Sequence, residues 1–369
     1  MSLSVKQRVG LELQRSLRHT QEQLHPLKTL FWECTLRCNM SCRHCGSDCK
    51  VAPAVKDMPA EDFLRVIDSL TPHVDPHRVF IIFTGGEALL RDDLEQVGLE
   101  LYRREYPWGV VTNGFLLDEK RLGSLMASGM HSITVSLDGF EEQHNWIRRH
   151  PQSFERATAA IRLLAGQKDL LWDVVTCVNP RSYGHLAEFK EYLVSLGVPA
   201  WRLFSIFPMG RAAHDPDLQL TDGQFRGLLD FIKDCRKGYT QAIKQSNNQA
   251  ILNVSYACEG FLGEYEQRVR DHFFYCRSGV DVASIRCDGA ISGCTSVRSH
   301  MDQGNIYKDD FWDVWEHRFQ VMRDRTWAKK DRCKDCKVWR YCEGSGLHLY
   351  DDNGELLTCH YHRLKPEEK

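Results

Sequence analysis

Three cysteines, Cys38, Cys42 and Cys45, stand at the spacing C-x3-C-x2-C in the stretch "FWECTLRCNMSCRHCGSDCK", with Cys34 and Cys49 on either side. Thiols so close in sequence converge on one centre, and in a reducing compartment that centre is a metal rather than a disulfide. A [4Fe–4S] cube takes one thiolate per iron, so three from one short loop leave one iron open to another ligand. Zinc is the competing occupant, with Cys34 or Cys49 completing a set of four, although structural zinc sites favour paired C-x2-C knuckles.

The distribution of all 15 cysteines points the same way. Five fall in residues 34–49, Cys177 and Cys235 are isolated, and eight lie between Cys258 and Cys359. Cysteines that only fill holes in a core would scatter. The composition is otherwise that of an ordinary globular chain, 42% hydrophobic and 27% charged with a net charge of −2, which gives no reason to expect a nucleic-acid partner. Its longest apolar runs, such as "VFIIF", fall far short of the ~20 residues of a membrane span. The first 27 residues lack the apolar core of a signal peptide and read as a polar amphipathic helix, so a cytoplasmic location is expected.

Several elements must hold these thiols in place. Between residues 28 and 240, β-rich runs ("LKTLFWEC", "RVFIIFTGGE", "WGVVTNG", "SITVSLDG", "WDVVTCVN", "WRLFSIF") alternate with stretches of helical spacing. This alternation predicts an α/β fold with parallel strands and right-handed crossovers. Six repeats are too few for a closed eightfold barrel, so an open, partial (β/α)6 barrel is expected, with its chemistry at the strand C-termini. The cysteine loop, "TGGE", "TNG", "SLDG", "CVNP" and "FPMGRA" all fall there. From about residue 250 to 369 the chain turns to short Gly-, Cys-, Asp- and aromatic-rich segments that need metal to hold their shape, with a boundary expected in 240–255.

On these motifs the sequence resembles the radical S-adenosylmethionine (radical SAM) superfamily. The resemblance implies that Cys38, Cys42 and Cys45 hold a [4Fe–4S] cluster whose fourth iron is chelated by SAM, and that reductive cleavage of SAM gives a 5′-deoxyadenosyl radical that takes a substrate hydrogen. His44 occupies a position that is usually aromatic in that family. "GGE" at Gly85, Gly86 and Glu87 is similar to the motif that receives the SAM amino group, where glycines let the backbone approach closely and a carboxylate suits an ammonium. "VSLDG…HNWIRR" resembles the segment for the ribose and carboxylate, with Ser136, Asp138 and Arg148 as candidates and Arg149 as the competing register. Asn179 and Gly210 match adenine-side loops.

The C-terminal cysteines resemble the SPASM extension of the same superfamily, which implies one or two auxiliary [4Fe–4S] clusters. Cys276 is followed by Gly289-x4-Cys294, then Cys333-x2-Cys336-x5-Cys342, and finally Cys359. Gly346 stands where the pattern asks for a further cysteine, leaving the first auxiliary site to Cys276 and Cys294 with Cys258 or Cys287 as a third ligand. The residue after Cys294 is Thr295, where sulfatase-maturing members carry an Asp base; Asp281 and Asp288 are the substitutes at hand.

The resemblance implies a peptide or protein maturase that makes an oxidative or cross-linking modification, supplied with electrons by a low-potential donor such as flavodoxin or ferredoxin. The cysteine stretch also resembles members associated with small lipoprotein-like partners. Two other readings share these cysteines: a radical SAM enzyme of haem or quinone cofactor biosynthesis, and a non-catalytic zinc-stapled binding protein.

Overall fold

The computed structural model describes residues 3–244, 252–258, 260–297 and 301–365. Six parallel strands form its centre: β1 (Thr29–Thr35), β2 (Phe80–Gly85), β3 (Trp108–Thr112), β4 (Met130–Ser136), β5 (Leu171–Val178) and β6 (Ala200–Ser205). Helices return the chain between them, among them Ala60–Leu70, Leu94–Arg103, Glu119–Ala127, Ser153–Ala165 and Leu186–Ser195, which matches the expected alternation. The strands are rich in β-branched and aromatic residues because both faces of a parallel sheet are covered. Trp32 is fully buried on β1, stacked on Phe63 of the first crossover helix at 4.2 Å between ring centres and edge-on to Phe83 of β2.

The sheet is wider than six strands. β7 (Asn253–Tyr256) adds in parallel to β6, and β8 (Val282–Ile285) adds in parallel to β1 on the opposite side. β9 (Ala290–Ser292) and β10 (Gly304–Asn305) continue antiparallel, giving the order β10-β9-β8-β1-β2-β3-β4-β5-β6-β7. The cysteine-rich region therefore enters the same sheet through β8. The expected boundary falls largely on residues 245–251, outside the described residues.

The N-terminal helix forms as expected, over Val5–Leu24, with a capping box between Ser4 and Gln7. Its docking is the reverse of the usual amphipathic pattern. Gln7, Leu11 and Arg18 are buried, while Val5, Val9, Leu13, Leu17 and Leu24 face outward. Leu11 packs with Phe261, Phe273, Phe274 and Val338. Arg18 donates to the carbonyl of Tyr341 at 3.2 Å and pairs with Glu343, and Glu12 accepts from the Tyr341 hydroxyl at 2.7 Å. The helix thus clamps the turn Trp339–Cys342, which carries one of the C-terminal cysteines.

Candidate active site and auxiliary thiol sites

The cysteine loop begins where β1 ends and closes on its own base. Cys38 N–H donates to the Lys50 carbonyl at 2.9 Å, and Lys50 N–H to that of Leu36 at 3.2 Å. Behind it, Arg91 donates to the Cys34 carbonyl at 2.8 Å, and Arg37 pairs with Asp57 at 2.6 Å. Cys38, Cys42 and Cys45 line one cavity of about 230 Å³ together with His44, Cys49, Gly85, Gly86, Asn113, Ser136, Arg148 and Arg211. Cys38 and Cys42 are almost fully buried, and that burial raises both thiols, Cys38 to about 12. Three thiols converging on one desolvated cavity suit a thiolate-ligated cluster.

The "GGE" turn backs onto this loop. Gly86 N–H donates to the Thr35 carbonyl at 2.7 Å and Glu87 N–H to that of Arg37 at 2.9 Å. A Cβ on Gly85 or Gly86 would sit 2.1 Å from a carbonyl oxygen of Thr35 or Arg37, so only glycine allows this approach. Glu87 differs from its expected role. Its carboxylate accepts from Thr112 Oγ1 at 2.6 Å, Asn113 N–H at 2.8 Å and Leu89 N–H at 3.2 Å, and Glu87 is not among the residues lining the cavity. The side chain ties the end of β2 to the end of β3, and burial raises its carboxyl despite those donors.

Of the two arginines, Arg148 is buried at the end of the helix Glu141–Arg148 and lines the cavity; Arg149 is the left-handed cap and faces solvent. Arg148 Nε donates to Asp138 at 2.6 Å, and its Nη1 lies 3.8 Å from Cys42 Sγ. Asp138 also accepts from Cys177 N–H at 2.9 Å, and its own N–H donates to His144 Nδ1 at 2.9 Å. Burial opposes ionisation of Asp138, but Arg148, with His44 and His144 nearby, outweighs it and holds the carboxyl at about 2. Asp138 therefore aims Arg148 rather than facing the cavity itself, whereas Ser136 does line it.

The remaining predicted residues divide. Asn179 is buried and caps the helical turn Pro180–Tyr183 through Arg181 and Ser182 N–H. Gly210 has φ +55°, and a Cβ there would meet the carbonyl oxygens of Cys45 and Gly46 at 2.5 Å. The loop after β6 thus presses on the cysteine loop. The next residue, Arg211, has no sequence signal beyond the position of "FPMGRA". Its Nε donates to the Cys42 carbonyl at 2.7 Å, its Nη1 to those of Cys49 and Asp48's carboxylate at 2.9 Å, and its N–H to the Cys45 carbonyl at 3.0 Å. His44 brings a buried, unpartnered Nδ1 to the cavity, and its ring, Asp138 and Cys177 place ligand atoms within 4.8 Å of one another.

In the C-terminal region Cys333, Cys336, Cys342 and Cys359 line a single small cavity with Val338, Trp339 and Tyr361. Four thiols around one void fit a closed cluster. Cys276 and Cys294 are neighbours, and burial, reinforced by the nearby Cys276, raises the Cys294 thiol. Cys258 is held at the end of β6, its Sγ accepting from Ser205 N–H at 3.2 Å, and Cys287 sits in the β8–β9 turn beside Tyr307. Gly346 leads into the turn Leu347–Leu349. Neither substitute base is free: Asp281 is buried against Arg277 and Tyr275, and Asp288 caps its own turn through Ala290 N–H.

Comparison with known proteins agrees with this geometry. The radical SAM superfamily model matches residues 32–193, and the SPASM iron–sulfur cluster-binding domain model matches residues 276–337, together more than half of the chain. The chain is 24% identical over 339 residues to an AdoMet-dependent heme synthase of Nitratidesulfovibrio vulgaris, covering 90% of each. It is 27% identical to the mycofactocin maturase MftC of Mycolicibacterium smegmatis, over 85% of this chain and 76% of that one. Among solved structures, anSMEcpe with bound AdoMet superposes with a TM-score of 0.68 at 19% identity, over 91% of this chain and 90% of that one, and shares the fold. No helix among the described residues is long and apolar enough to cross a membrane. The partial barrel with its three-thiol loop, extended through β8 into a cysteine-rich region, makes this chain a radical SAM superfamily enzyme with a SPASM domain, dependent on a [4Fe–4S] cluster, SAM and auxiliary iron–sulfur clusters.

Proposed function

We propose that this enzyme oxidises a side chain of a tetrapyrrole during assembly of a haem-type cofactor. The observation that carries the reading is the end-to-end similarity to a heme synthase, 90% of both chains. In this reading Cys38, Cys42 and Cys45 hold the SAM cluster, and Cys333, Cys336, Cys342 and Cys359 hold one auxiliary cluster. Cys276 and Cys294 begin a second. When bound, the cluster and SAM supply a 5′-deoxyadenosyl radical that removes a substrate hydrogen.

The residues of the chain serve that chemistry by positioning. Arg148, aimed by Asp138, offers a fixed donor pair to the SAM carboxylate. Gly85 and Gly86 let the end of β2 close onto the cysteine loop and present backbone to the cavity where the methionine end would lie, Glu87 keeps the β2 and β3 termini in register, and Ser136 reaches toward the ribose. Asn179 and Gly210 shape the adenine side through the loops they hold, and Arg211 secures the cysteine loop. Cys333, Cys336, Cys342 and Cys359 would hold an auxiliary cluster, and that cluster would supply an acceptor inside the protein for the electron left on the substrate. A low-potential donor such as flavodoxin or ferredoxin supplies the first electron.

A second reading is modification of a genetically encoded peptide or protein, favoured by the similarity to a mycofactocin maturase at 27% identity. The two separate in one experiment: reconstituted enzyme, SAM and dithionite are incubated anaerobically with Fe-coproporphyrin III. Formation of 5′-deoxyadenosine in step with conversion of the tetrapyrrole, followed by mass spectrometry, is the expected result. No shift of the tetrapyrrole absorption band on mixing and no conversion would reject it in favour of the peptide reading.

A further inference from the structure

Between Ala328 and Tyr341 the chain carries six cations, Lys329, Lys330, Arg332, Lys334, Lys337 and Arg340, against two acids, Asp331 and Asp335. All eight are exposed. The whole chain is close to balanced, with 48 Lys and Arg against 50 Asp and Glu, so this excess is local. Arg340 is committed to Glu12 at 2.8 Å. The side chains of the other five cations form no ion pair or hydrogen bond among the described residues. Like charges grouped without partners repel one another and contribute nothing to folding, so the grouping asks for a reason outside the fold.

The patch lies at the C-terminal thiol cavity. Lys334 and Lys337 flank Cys336 in sequence, and Arg332 lines the cavity itself. Cys333 and Cys359 are buried, but Cys336 and Cys342 are partly exposed, beside half-buried Trp339 and Tyr361. The four thiols thus come nearest the surface where a small apolar centre meets a basic rim. Electron-transfer encounters between proteins have this anatomy: they are small, and opposite charge on the two rims steers them together.

We propose that this face docks an acidic protein that carries single electrons, holding it against the auxiliary cluster site. The inference rests on the reading that Cys333, Cys336, Cys342 and Cys359 hold a cluster that receives the electron left on the substrate. That site accepts nothing in the next turnover until its electron has left. One electron moves per turnover: the substrate radical is oxidised, the oxidised carrier is reduced, and no bond forms or breaks at the docking face. A nucleic acid or an anionic membrane would meet the same charge, but would gain nothing from a position over the thiols.

The test uses reconstituted, full-length protein and a purified flavodoxin of negative net charge, with association followed by surface plasmon resonance over a salt series. Wild type is compared with Lys334→Glu/Lys337→Glu and with Lys329→Glu/Lys330→Glu. Lys120→Glu, at an exposed position on the barrel helix Glu119–Ala127, is the control. The second pair stands at least three residues from any cysteine, so it still decides the matter if the first pair loses iron. Each patch pair is expected to slow association about tenfold and to flatten its salt dependence. Iron content and dithionite-driven SAM cleavage should stay as in wild type, and Lys120→Glu should bind as wild type does. Association as fast in both patch pairs as in wild type overturns the proposal, and so does wild-type association that ignores salt. Capture of anionic vesicles or duplex DNA, with flavodoxin left unbound, overturns it as well. Failure to convert Fe-coproporphyrin III while docking stays intact strikes the substrate reading alone.

Discussion

Arg211 Nε donates to the Cys42 carbonyl at 2.7 Å across 169 residues of sequence, and the same guanidinium reaches Cys49 and Asp48. One side chain therefore fixes both ends of the segment that carries Cys45. Hydrogen bonds from a charged donor contribute about 1.5–3 kcal/mol each. Arg211→Ala should leave the fold intact and loosen the loop, so that about four irons are lost faster to a chelator than in wild type. Chelator-release kinetics indistinguishable from wild type would show that the loop holds itself.

Gly210 presses on the same loop with backbone alone. Its φ of +55° and the two carbonyl oxygens at 2.5 Å leave no space for a methyl group. Gly210→Ala should cost about 1–3 kcal/mol and deplete iron from the SAM site, while the C-terminal clusters stay loaded. The melting temperature and a SAM-sensitive EPR signal measure the two effects separately.

The parts of this molecule that were legible from sequence are those set by local spacing. Cys38, Cys42 and Cys45 sit in one loop, and the six central strands are long enough to show their pattern. β7 and β8 are four residues each, too short to carry one, so the widening of the sheet was not visible. Arg211 was missed because its partners are remote in sequence. Glu87 looked like a free carboxylate in a ligand-binding turn, and only the fold reveals that Thr112, Asn113 and Leu89 have occupied it. The choice between Arg148 and Arg149 depended on where one helix ends.

Arg148 and Arg149 now offer an internally controlled comparison. Arg148→Lys keeps the charge but loses the planar fork that Asp138 orients. Its SAM affinity should fall by about tenfold or more, the equivalent of losing one hydrogen bond from a charged group. Arg149→Ala, on the exposed cap, should bind SAM as wild type does. Equal losses in both variants, read from the SAM-dependent EPR change, would contradict the assignment.

The four thiols of the C-terminal cavity make a separate prediction. Cys342→Ala should remove about four irons without touching the SAM loop. SAM cleavage to 5′-deoxyadenosine should then continue while substrate oxidation stops, because the electron left on the substrate loses its acceptor. Product formation at the wild-type rate with that cluster gone would assign these cysteines a purely structural role.

Glu22 predicts how the N-terminal clamp responds to pH. On the helix itself, it lies 3.4 Å from Arg18 and lines a cavity with Trp339 and Glu343. Burial, reinforced by the Glu343 carboxylate, outweighs Arg18 and raises the Glu22 carboxyl from 4.5 to about 7. The folded protein therefore holds this proton more tightly than the unfolded chain does. Its stabilising contribution is complete below about 4.5, declines as pH rises, and is gone above about 7. After screening at this partly wet site, the slope amounts to at most ~1 kcal/mol per pH unit. Glu22→Gln cannot ionise, so the difference in melting temperature between it and wild type should widen from pH 5 to pH 7 and then level off. A constant difference across that range would mean that Glu22 is charged throughout and that Arg18, not burial, governs the clamp.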